Sequence, residues 1–306
     1  MTTPGTAPSL PSVAFIGLGN MGLPIATNIS EVCPDLLAYD RDADRRVAAR
    51  AAGLQTAEDL SAMLDRHFDF VVVSVNTPQA LTEVLTGPSS MFSTARRPTT
   101  VLDVGTTGPT VSREMADRLR LDGHRFVDAP VSGGIGGAQR GELTTMVGAT
   151  SEDEGIDLVL RSFCATVIYL GDTGLGAVAK LVNNALAIGT LGLVGEVLAF
   201  GEANGLSRAT LLDVIMSSSG DSRILRSKQG IIRDKSYNDA QFDVRIALKD
   251  LRLLLGSSCA VTGDNPPILE EVSRLVAAVA DHCDGPTDVS AIAEPGNHVA
   301  HRRSRC

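Results

Sequence analysis

The chain has 306 residues, of which 43% are apolar and 21% are charged, and its formal net charge is −9. This length has room for two domains, and the composition excludes a disordered or fibrous protein. The negative charge argues against a nucleic-acid partner, because an acidic surface repels a phosphate backbone.

The first half of the chain alternates between short apolar strands and helices. Helices are predicted at Gly22–Ser30 and Arg45–Ala52, and further helices begin at Pro78 and Pro109 because proline is favoured in a first turn. Strands are predicted at Val13–Ile16, Leu36–Tyr39, Phe70–Ser74, Val101–Val104, Arg125–Asp128, Leu143–Val147 and Val167–Leu170. The alternation predicts an α/β fold in which residues 1–170 form a Rossmann-like, doubly wound and mainly parallel sheet.

The pattern changes after residue 170. Residues 171–176 are rich in turn formers, and no strand is predicted beyond them. Helices are predicted at Ala177–Ala203, Leu211–Met216, Ile246–Leu255 and Leu269–Ala280. Residues 171–306 are therefore predicted to form an all-α C-terminal domain, with residues 294–306 disordered. A spacing of three in the long helix predicts close packing, inside this domain or across a dimer, at Gly189, Gly192 and Gly195.

Cysteine usage and the apolar runs bear on location. The five cysteines stand far apart without a CxxC pair, which favours free thiols in a reducing compartment and hence a cytoplasmic protein. No spacing typical of metal ligands occurs, so no metal is expected. Residues 1–8 lack the basic start and apolar core of a signal peptide, and the apolar run at 185–195 is too short to span a bilayer. No membrane partner is expected.

A glycine-rich turn follows the first strand and opens the first helix. Its GxGxxG pattern lets backbone approach a pyrophosphate, and the helix N-terminus supplies N–H groups to the phosphates. The strand-turn-helix context favours binding of a nicotinamide dinucleotide over a purely structural turn. The predicted cofactor-binding residues of this turn are Gly17, Leu18, Gly19, Asn20, Met21 and Gly22.

An acidic residue ends the second strand, 18 residues beyond Gly22. The carboxylate of Asp40 would accept hydrogen bonds from the adenosine ribose and repel the additional phosphate of NADP, which favours NAD. Arg41 follows it, and a guanidinium could bind that phosphate, so NADP stays an alternative. An ordinary turn residue is the other interpretation of Asp40.

Two further segments carry side chains suited to dehydrogenase chemistry. Lys180 lies in an apolar helix with Asn184 one turn later on the same face, and a lysine whose pKa is lowered by burial can exchange a proton with a hydroxyl. A snorkelling surface lysine is the alternative. Ser132, Gly133 and Gly134 offer a hydroxyl and approachable backbone N–H groups that suit a carboxylate, although a flexible loop explains them equally well.

These segments resemble the motifs of the β-hydroxyacid dehydrogenase family, which includes 3-hydroxyisobutyrate dehydrogenases, tartronate semialdehyde reductases and the more distant 6-phosphogluconate dehydrogenases. The resemblance covers nearly the whole chain. Its five motifs, in the family's order, are residues 17–22 with Ala26 and Asn28, residues 128–134 with Gly141 and Leu143, residues 174–184, residues 249–251 and residues 288–291.

The resemblance implies an NAD(P)-dependent oxidoreductase that interconverts a small β-hydroxy acid and its semialdehyde or keto acid. It implies that Lys180 transfers the proton, that Asn184 is catalytic, and that the loop 132–134 binds the substrate carboxylate. It also implies that Thr106 contacts the nicotinamide ring and that Lys249 lies near the cofactor or carboxylate. The family assembles through its C-terminal domain, which implies a homodimer or homotetramer.

The chain departs from the family pattern at two positions. Gly105 stands where the family carries Ser before Thr106, and Ile25 stands where Met or Ala is usual. Two other functions are considered: an imine reductase on the same scaffold, or a non-catalytic NAD(P)-binding protein. Lys180 argues against both, because the imine reductases typically replace this lysine and a non-catalytic protein has no need of it.

Overall fold

The structure is a computed structural model that describes residues 10–63, 66–87, 90, 92, 97–150, 152–264 and 266–294. The chain divides into two compact units, Met1–Lys180 and Leu181–Cys306.

The first unit is built on a six-stranded parallel sheet. Its strands are β1 (Val13–Ile16), β2 (Leu36–Tyr39), β3 (Gln55–Thr56), β4 (Phe70–Val73), β5 (Thr100–Asp103) and β6 (Arg125–Asp128), in the order β3-β2-β1-β4-β5-β6. The connecting helices are α1 (Gly22–Val32), α2 (Ala43–Ala51), α3 (Pro78–Thr86) and α4 (Pro109–Leu121). Alternate strand residues enter two separate apolar cores, one on each face: Val13 and Phe15 in one, Ala14 and Ile16 in the other. The predicted doubly wound fold is confirmed.

A second, three-stranded sheet follows in the same unit. It contains β7 (Val131–Ser132), β8 (Leu143–Val147) and β9 (Cys164–Tyr169), with α5 (Gly134–Gln139) between β7 and β8 and α6 (Glu154–Arg161) between β8 and β9. The prediction of a single parallel series through these strands was wrong in detail. The antiparallel pairing of β7 with β8 starts a new sheet. Two-residue strands such as β3 and β7 are too short to show periodicity, so both were missed.

The secondary-structure elements of the second unit are helices, and its described residues contain no strand. Helix α7 (Leu175–Ala203) begins in the first unit and continues into the second. It is followed by α8 (Arg208–Met216), α9 (Arg223–Asp234), α10 (Val244–Thr262) and α11 (Pro267–Asp281). The prediction of an all-α C-terminal domain is confirmed. Helix α9 was not predicted, because its inward face carries Lys228, which interrupts the apolar period and pairs with buried Asp288 at 2.7 Å.

Helix α7 is apolar on two opposite faces. Ile188, Leu191 and Leu198 on one face enter the core of the second unit. The other face is exposed and carries Val182, Leu186, Leu193, Val197 and Phe200. By length and composition alone α7 could span a bilayer, with a mean hydropathy of 1.5 over an 18-residue window. Burial of half of that window inside the protein is equally typical of a core helix.

Two further predictions concern this unit. Gly189 and Gly192 lie against Val272 and Leu275 of α11. At these two positions the glycine series therefore packs inside the domain, which is one of the two predicted alternatives. Glu294 was expected to begin a disordered end, but its carboxylate accepts a hydrogen bond from Arg208 at 2.8 Å. The rest of that prediction, residues 295–306, lies outside the described residues.

Candidate active site

The glycine turn after β1 has a backbone that tolerates no side chain at two positions. Gly17 has φ +99°, and a Cβ there would overlap the carbonyl oxygen of Ser74. A Cβ at Gly22 would overlap the carbonyl oxygen of Gly17. Helix α1 then begins without a side-chain cap and without an acidic residue in its first turn. Its first N–H groups and positive dipole end therefore suit a pyrophosphate, and Leu18, Gly19, Asn20 and Met21 complete the turn.

The carboxylate of Asp40 connects the end of β2 to this turn. It is buried, and it accepts hydrogen bonds from the N–H of Leu18 at 2.7 Å and from the N–H of Asp42 at 2.9 Å. Each carboxylate oxygen has a further lone pair that can accept a ribose hydroxyl. Arg41 is exposed beside it, whereas Arg45 of α2 lies 3.6 Å from its Oδ2. No role for Arg45 was predicted from the sequence.

The loop after β5 holds Thr106, which is half-buried. Buried Asp103 fixes this loop by accepting hydrogen bonds from the N–H of Gly105 at 3.0 Å and from Oγ1 of Thr107 at 2.6 Å. A Cβ at Gly105 would overlap the carbonyl oxygen of Val75, which gives a physical reason for the departure from serine. Asp103 was missed, although an acid at the carboxyl end of a strand is a recognisable signal.

The loop predicted to bind the substrate starts at the edge of the second sheet. Ser132 is half-buried and pairs with Thr144 of β8. Gly133 and Gly134 are exposed with φ of 139° and 67°, and no heavy atom lies within 4 Å of a Cβ at Gly134. The amide of Asn28 on α1 donates to the carbonyl oxygen of Ala138 on α5 at 2.7 Å. This bond joins helix α1, which follows the glycine turn, to helix α5, which follows the substrate loop.

The start of α7 is held by Asp128 of β6, which is 1% exposed. Its carboxylate accepts hydrogen bonds from the N–H of Gly174 at 2.7 Å and from that of Ala177 at 2.8 Å. Burial raises the pKa of Asp128 above its ordinary value, although these two N–H groups act in the opposite direction. Lys180 lies one turn after Ala177 and is nine-tenths buried. Asp128 was present in a recognised motif but was given no role by the sequence analysis.

In the second unit, Asn184 and Lys249 meet at one carboxylate. The side-chain amide of buried Asn184 donates to Oδ2 of Asp250 at 2.7 Å, and Nζ of Lys249 lies 2.9 Å from Oδ1 of the same residue. Lys249 is 20% exposed and Asp250 is 3% exposed. Asp250 therefore fixes both side chains, a role that the sequence analysis did not predict. Lys180 and Asn184 are one turn apart on α7.

The first unit offers an anion-binding turn, an acid for a ribose and a buried lysine, and the second unit offers an oriented amide. Within the described ranges no group of three His, Cys, Asp or Glu side chains is placed to hold a metal ion. The polar groups of each unit therefore suit a reaction in which a dinucleotide accepts a hydride and a side chain takes a proton.

Comparison with known proteins gives the family. The model for the NAD binding domain of 6-phosphogluconate dehydrogenase matches residues 12–171. The model for the NAD-binding domain of NADP-dependent 3-hydroxyisobutyrate dehydrogenase matches residues 174–295. These two matches account for nearly all of the described chain.

Individual relatives agree with both models. The 2-(hydroxymethyl)glutarate dehydrogenase of Eubacterium barkeri is 33% identical over 79% of this chain and 81% of its own. The mitochondrial 3-hydroxyisobutyrate dehydrogenase of Mus musculus is 33% identical over 84% of this chain and 78% of its own. A solved structure of Mycobacterium tuberculosis 3-hydroxyisobutyrate dehydrogenase with L-serine has a TM-score of 0.82 at 25% identity, covering 93% of this chain and 98% of that one.

Imine reductases are more distant. That of Streptomyces aurantiacus has a TM-score of 0.57 at 19% identity over 92% of this chain and 98% of its own, which shows a shared fold alone. The chain belongs to the β-hydroxyacid dehydrogenase family of NAD(P)-dependent oxidoreductases, alongside the 3-hydroxyisobutyrate dehydrogenases.

Proposed function

We propose that this enzyme oxidises the primary alcohol of 3-hydroxypropanoates substituted at carbon 2, with Lys180 as the proton acceptor. The observation that carries the proposal is the burial of Lys180, which leaves its side chain only 9% exposed on an apolar helix whose start is fixed by Asp128. Burying a lysine is costly, and a proton-transfer role accounts for that cost.

The substrate class follows from what the relatives' names have in common. 3-Hydroxyisobutyrate, 2-(hydroxymethyl)glutarate and L-serine each carry a hydroxymethyl group on the carbon next to a carboxylate. They differ in the third substituent, which is a methyl, a carboxyethyl or an ammonium group. A site that binds only the shared atoms needs an anion-binding loop and a proton acceptor, and we assign these roles to Ser132–Gly134 and Lys180.

Each site residue is assigned one step or contact in the reaction. The nicotinamide, when bound, would accept the hydride from the hydroxymethyl carbon, and Thr106 would contact its ring. Nζ of Lys180 removes the hydroxyl proton and returns it in the reverse direction. Asn184 donates one amide N–H to Asp250, and its second amide N–H can donate to the substrate oxygen and orient it. Lys249 adds positive charge near the cofactor or carboxylate. The hydroxyl of Ser132 and the N–H groups of Gly133 and Gly134 bind the carboxylate.

A substrate panel tests this proposal. We expect reduction of the nicotinamide with 3-hydroxyisobutyrate, 2-(hydroxymethyl)glutarate and L-serine, with rates that depend on the third substituent. 3-Hydroxybutyrate, a secondary alcohol of similar size, should react much more slowly. Reduction of cyclic imines without oxidation of any hydroxy acid would overturn the proposal in favour of an imine reductase.

Asp40 leads us to propose that NAD is preferred to NADP. A second negative group beside a buried carboxylate is penalised, because like charges repel strongly where water is excluded. The ratio of kcat/KM for the two cofactors measures this preference. Equal or higher kcat/KM with NADP would contradict it.

We also propose a homodimer or homotetramer assembled through the exposed apolar face of α7. Five large apolar side chains on that face would otherwise remain in water. Sedimentation of the protein and of Leu193→Glu tests the assembly, since a charge in this face should lower the mass. A monomeric parent protein would contradict it.

For location, we propose the cytoplasm, without nucleic-acid or membrane partners. The thiols of Cys33, Cys164, Cys259 and Cys283 are all free, which suits a reducing compartment. Fractionation of cells producing the protein is the test, and recovery from the membrane fraction would contradict the proposal.

A further inference from the structure

We infer that Asn28 is a positioning residue through which binding of the dinucleotide strengthens binding of the substrate carboxylate. The inference rests on the proposed function and deepens it, because it names a contact that links the two binding segments of the first unit. Asn28 lies on α1, which follows the glycine turn, and its partner Ala138 lies on α5, which follows the substrate loop.

Helix α5 is too weak to hold the substrate loop by itself. It has six residues, and three of them are glycines, at positions 134, 136 and 137. After proline, glycine is the residue least suited to a helix, and isolated helices of this length are not stable in water. Contacts with the rest of the first unit must therefore keep α5 folded.

Close packing against one leucine explains why better helix formers are excluded here. A Cβ at Gly133 would lie 2.8 Å from Cδ2 of buried Leu143, and a Cβ at Gly137 would lie 3.1 Å from the same atom. A larger residue at either position would force the leucine or the helix to move. The site thus keeps a helix whose sequence is weak, and its order depends on how it is anchored.

The end of α5 is anchored by Asn28. The side-chain amide of Asn28 donates to the carbonyl oxygen of Ala138 at 2.7 Å, and that oxygen also accepts the N–H of Gly141 at 3.3 Å. Carbonyl groups in the last turn of a helix lack partners within the helix, so a donor from outside stabilises this end. Asn28 is half-buried and lies 110 positions from its acceptor, so this bond ties α5 to a distant segment.

Helix α1 is held firmly in the core of the first unit. Ile25, Ala26 and Ile29, which flank Asn28, are fully buried. The pyrophosphate is proposed to bind the first N–H groups of α1, about 9 Å along the helix axis from Asn28. A ligand that fixes the start of α1 therefore also restricts the amide of Asn28 and, through it, the end of α5. Because the loop 132–134 leads directly into α5, its N–H groups become ordered before the acid arrives.

Four proteins test the inference: the parent, Asn28→Asp, Asn28→Ala and Ser30→Ala. Asn28→Asp keeps the size of the side chain and replaces the donor with an acceptor. Ser30→Ala is the matched control, because it removes a hydroxyl that bonds the carbonyl oxygen of Thr27 within α1 at 2.7 Å. Calorimetry gives the Kd of NADH and the Kd of 3-hydroxyisobutyrate with and without saturating NADH. The alcohol cannot react with the reduced cofactor, so these are equilibrium values.

In the parent protein we expect saturating NADH to lower the Kd of 3-hydroxyisobutyrate by about tenfold or more. In both Asn28 variants this factor should fall by about fivefold, the usual effect of losing one hydrogen bond. The Kd of NADH alone should change by less than about twofold, because Asn28 lies away from the glycine turn. Ser30→Ala should leave every Kd as it is.

Hydrogen exchange measures the same coupling without any substrate. NADH should slow amide exchange in both α1 and α5 of the parent protein and of Ser30→Ala. In the Asn28 variants the slowing should persist in α1 and be lost in α5, because the bond that connects the two helices is gone. A merely structural role of Asn28 would change exchange in α5 equally with and without NADH.

Three results would overturn the inference. An equal effect of NADH on the Kd of the acid in all four proteins would show that Asn28 does not couple the two ligands. An equal weakening of the acid with and without NADH would show a structural role alone. Loss of the NADH effect on exchange in α1 would show that Asn28 supports α1 itself. Failure of the proposed function is distinguishable, because the parent protein would then bind NADH without binding the acid, while exchange in α5 would still report the link.

Discussion

The carboxylate of Asp128 accepts a hydrogen bond from the N–H of Ala177, three residues before Lys180, at 2.8 Å. A second bond, from Gly174, makes this buried acid the cap of the helix that carries the proposed proton acceptor. A cap fixes the direction of the first turns, so Asp128 is a positioning residue for Lys180.

Replacing Asp128 with Asn should separate positioning from stability. One of the two N–H groups at the start of α7 would lose its acceptor, so we expect the free energy of unfolding to fall by about 1–3 kcal/mol. We also expect kcat to fall while KM for the cofactor stays nearly constant. Urea unfolding and steady-state kinetics measure both.

The matched control is Asp153→Ala, because Asp153 caps α6 through the N–H groups of Gly155 and Ile156 and alanine removes the oxygen that accepts both. It should lose stability and retain kcat. Equal losses of kcat in the two variants would show that Asp128 acts through stability alone.

Lys180→Ala should fold, bind NAD and lose kcat by about 10²–10⁴-fold, the usual contribution of a proton-transfer group. Lys180→Arg should not restore turnover, since a guanidinium remains protonated and cannot act as a base. Cofactor titration and turnover are measured on the same preparations. Retained turnover would remove Lys180 from the mechanism, and lost cofactor binding would make its role structural. Lys235→Ala, at an exposed residue, is the control for loss of a positive charge.

Ser132→Ala should raise KM for the hydroxy acid while the affinity for NAD stays nearly unchanged. Losing one hydrogen bond to a charged carboxylate costs about 1.5–3 kcal/mol, or roughly tenfold or more in KM. Ser162→Ala, which removes a hydroxyl bonded to the carbonyl oxygen of Val159, is the control and should leave KM as it is. If KM is the same in both variants, the loop does not hold the carboxylate.

His124 should make the stability of the first unit depend on pH. The side chain is 5% exposed, neither ring nitrogen has a hydrogen-bond partner among the described residues, and burial lowers its pKa below the usual 6.5. The unfolded chain therefore binds a proton more readily than the folded one. The stability that the neutral ring contributes is present above about pH 6.5 and is lost as the pH falls through the lowered pKa.

His124→Leu should remove this contribution, because leucine fills similar space beside Phe92 and has no proton to bind. Urea unfolding at about pH 8 and about pH 5.5 measures the free energy of unfolding of both proteins. The parent protein should lose more stability on acidification than the variant. Parallel losses would show that other groups dominate.

The fold was largely predictable because the strands of a parallel sheet covered on both faces are continuous apolar runs. The glycine turn was also predictable from local sequence, because a backbone that leaves no room for a Cβ requires glycine. The sequence could not show hydrogen-bond partners that lie far apart in the chain. Asp128 meets residues 174 and 177, and Asp250 meets Asn184 across 66 positions.

Gly105 has a consequence for protein engineering. Introducing the serine that the family resemblance leads us to expect at this position would be the obvious substitution to try. The obstruction, however, is the carbonyl oxygen of Val75, which belongs to the main chain and persists whatever residue occupies that position. A successful graft would have to exchange the segment around residue 75 together with residues 103–107, so these two loops form one exchangeable module. A library that varies residue 105 alone should therefore return mainly glycine.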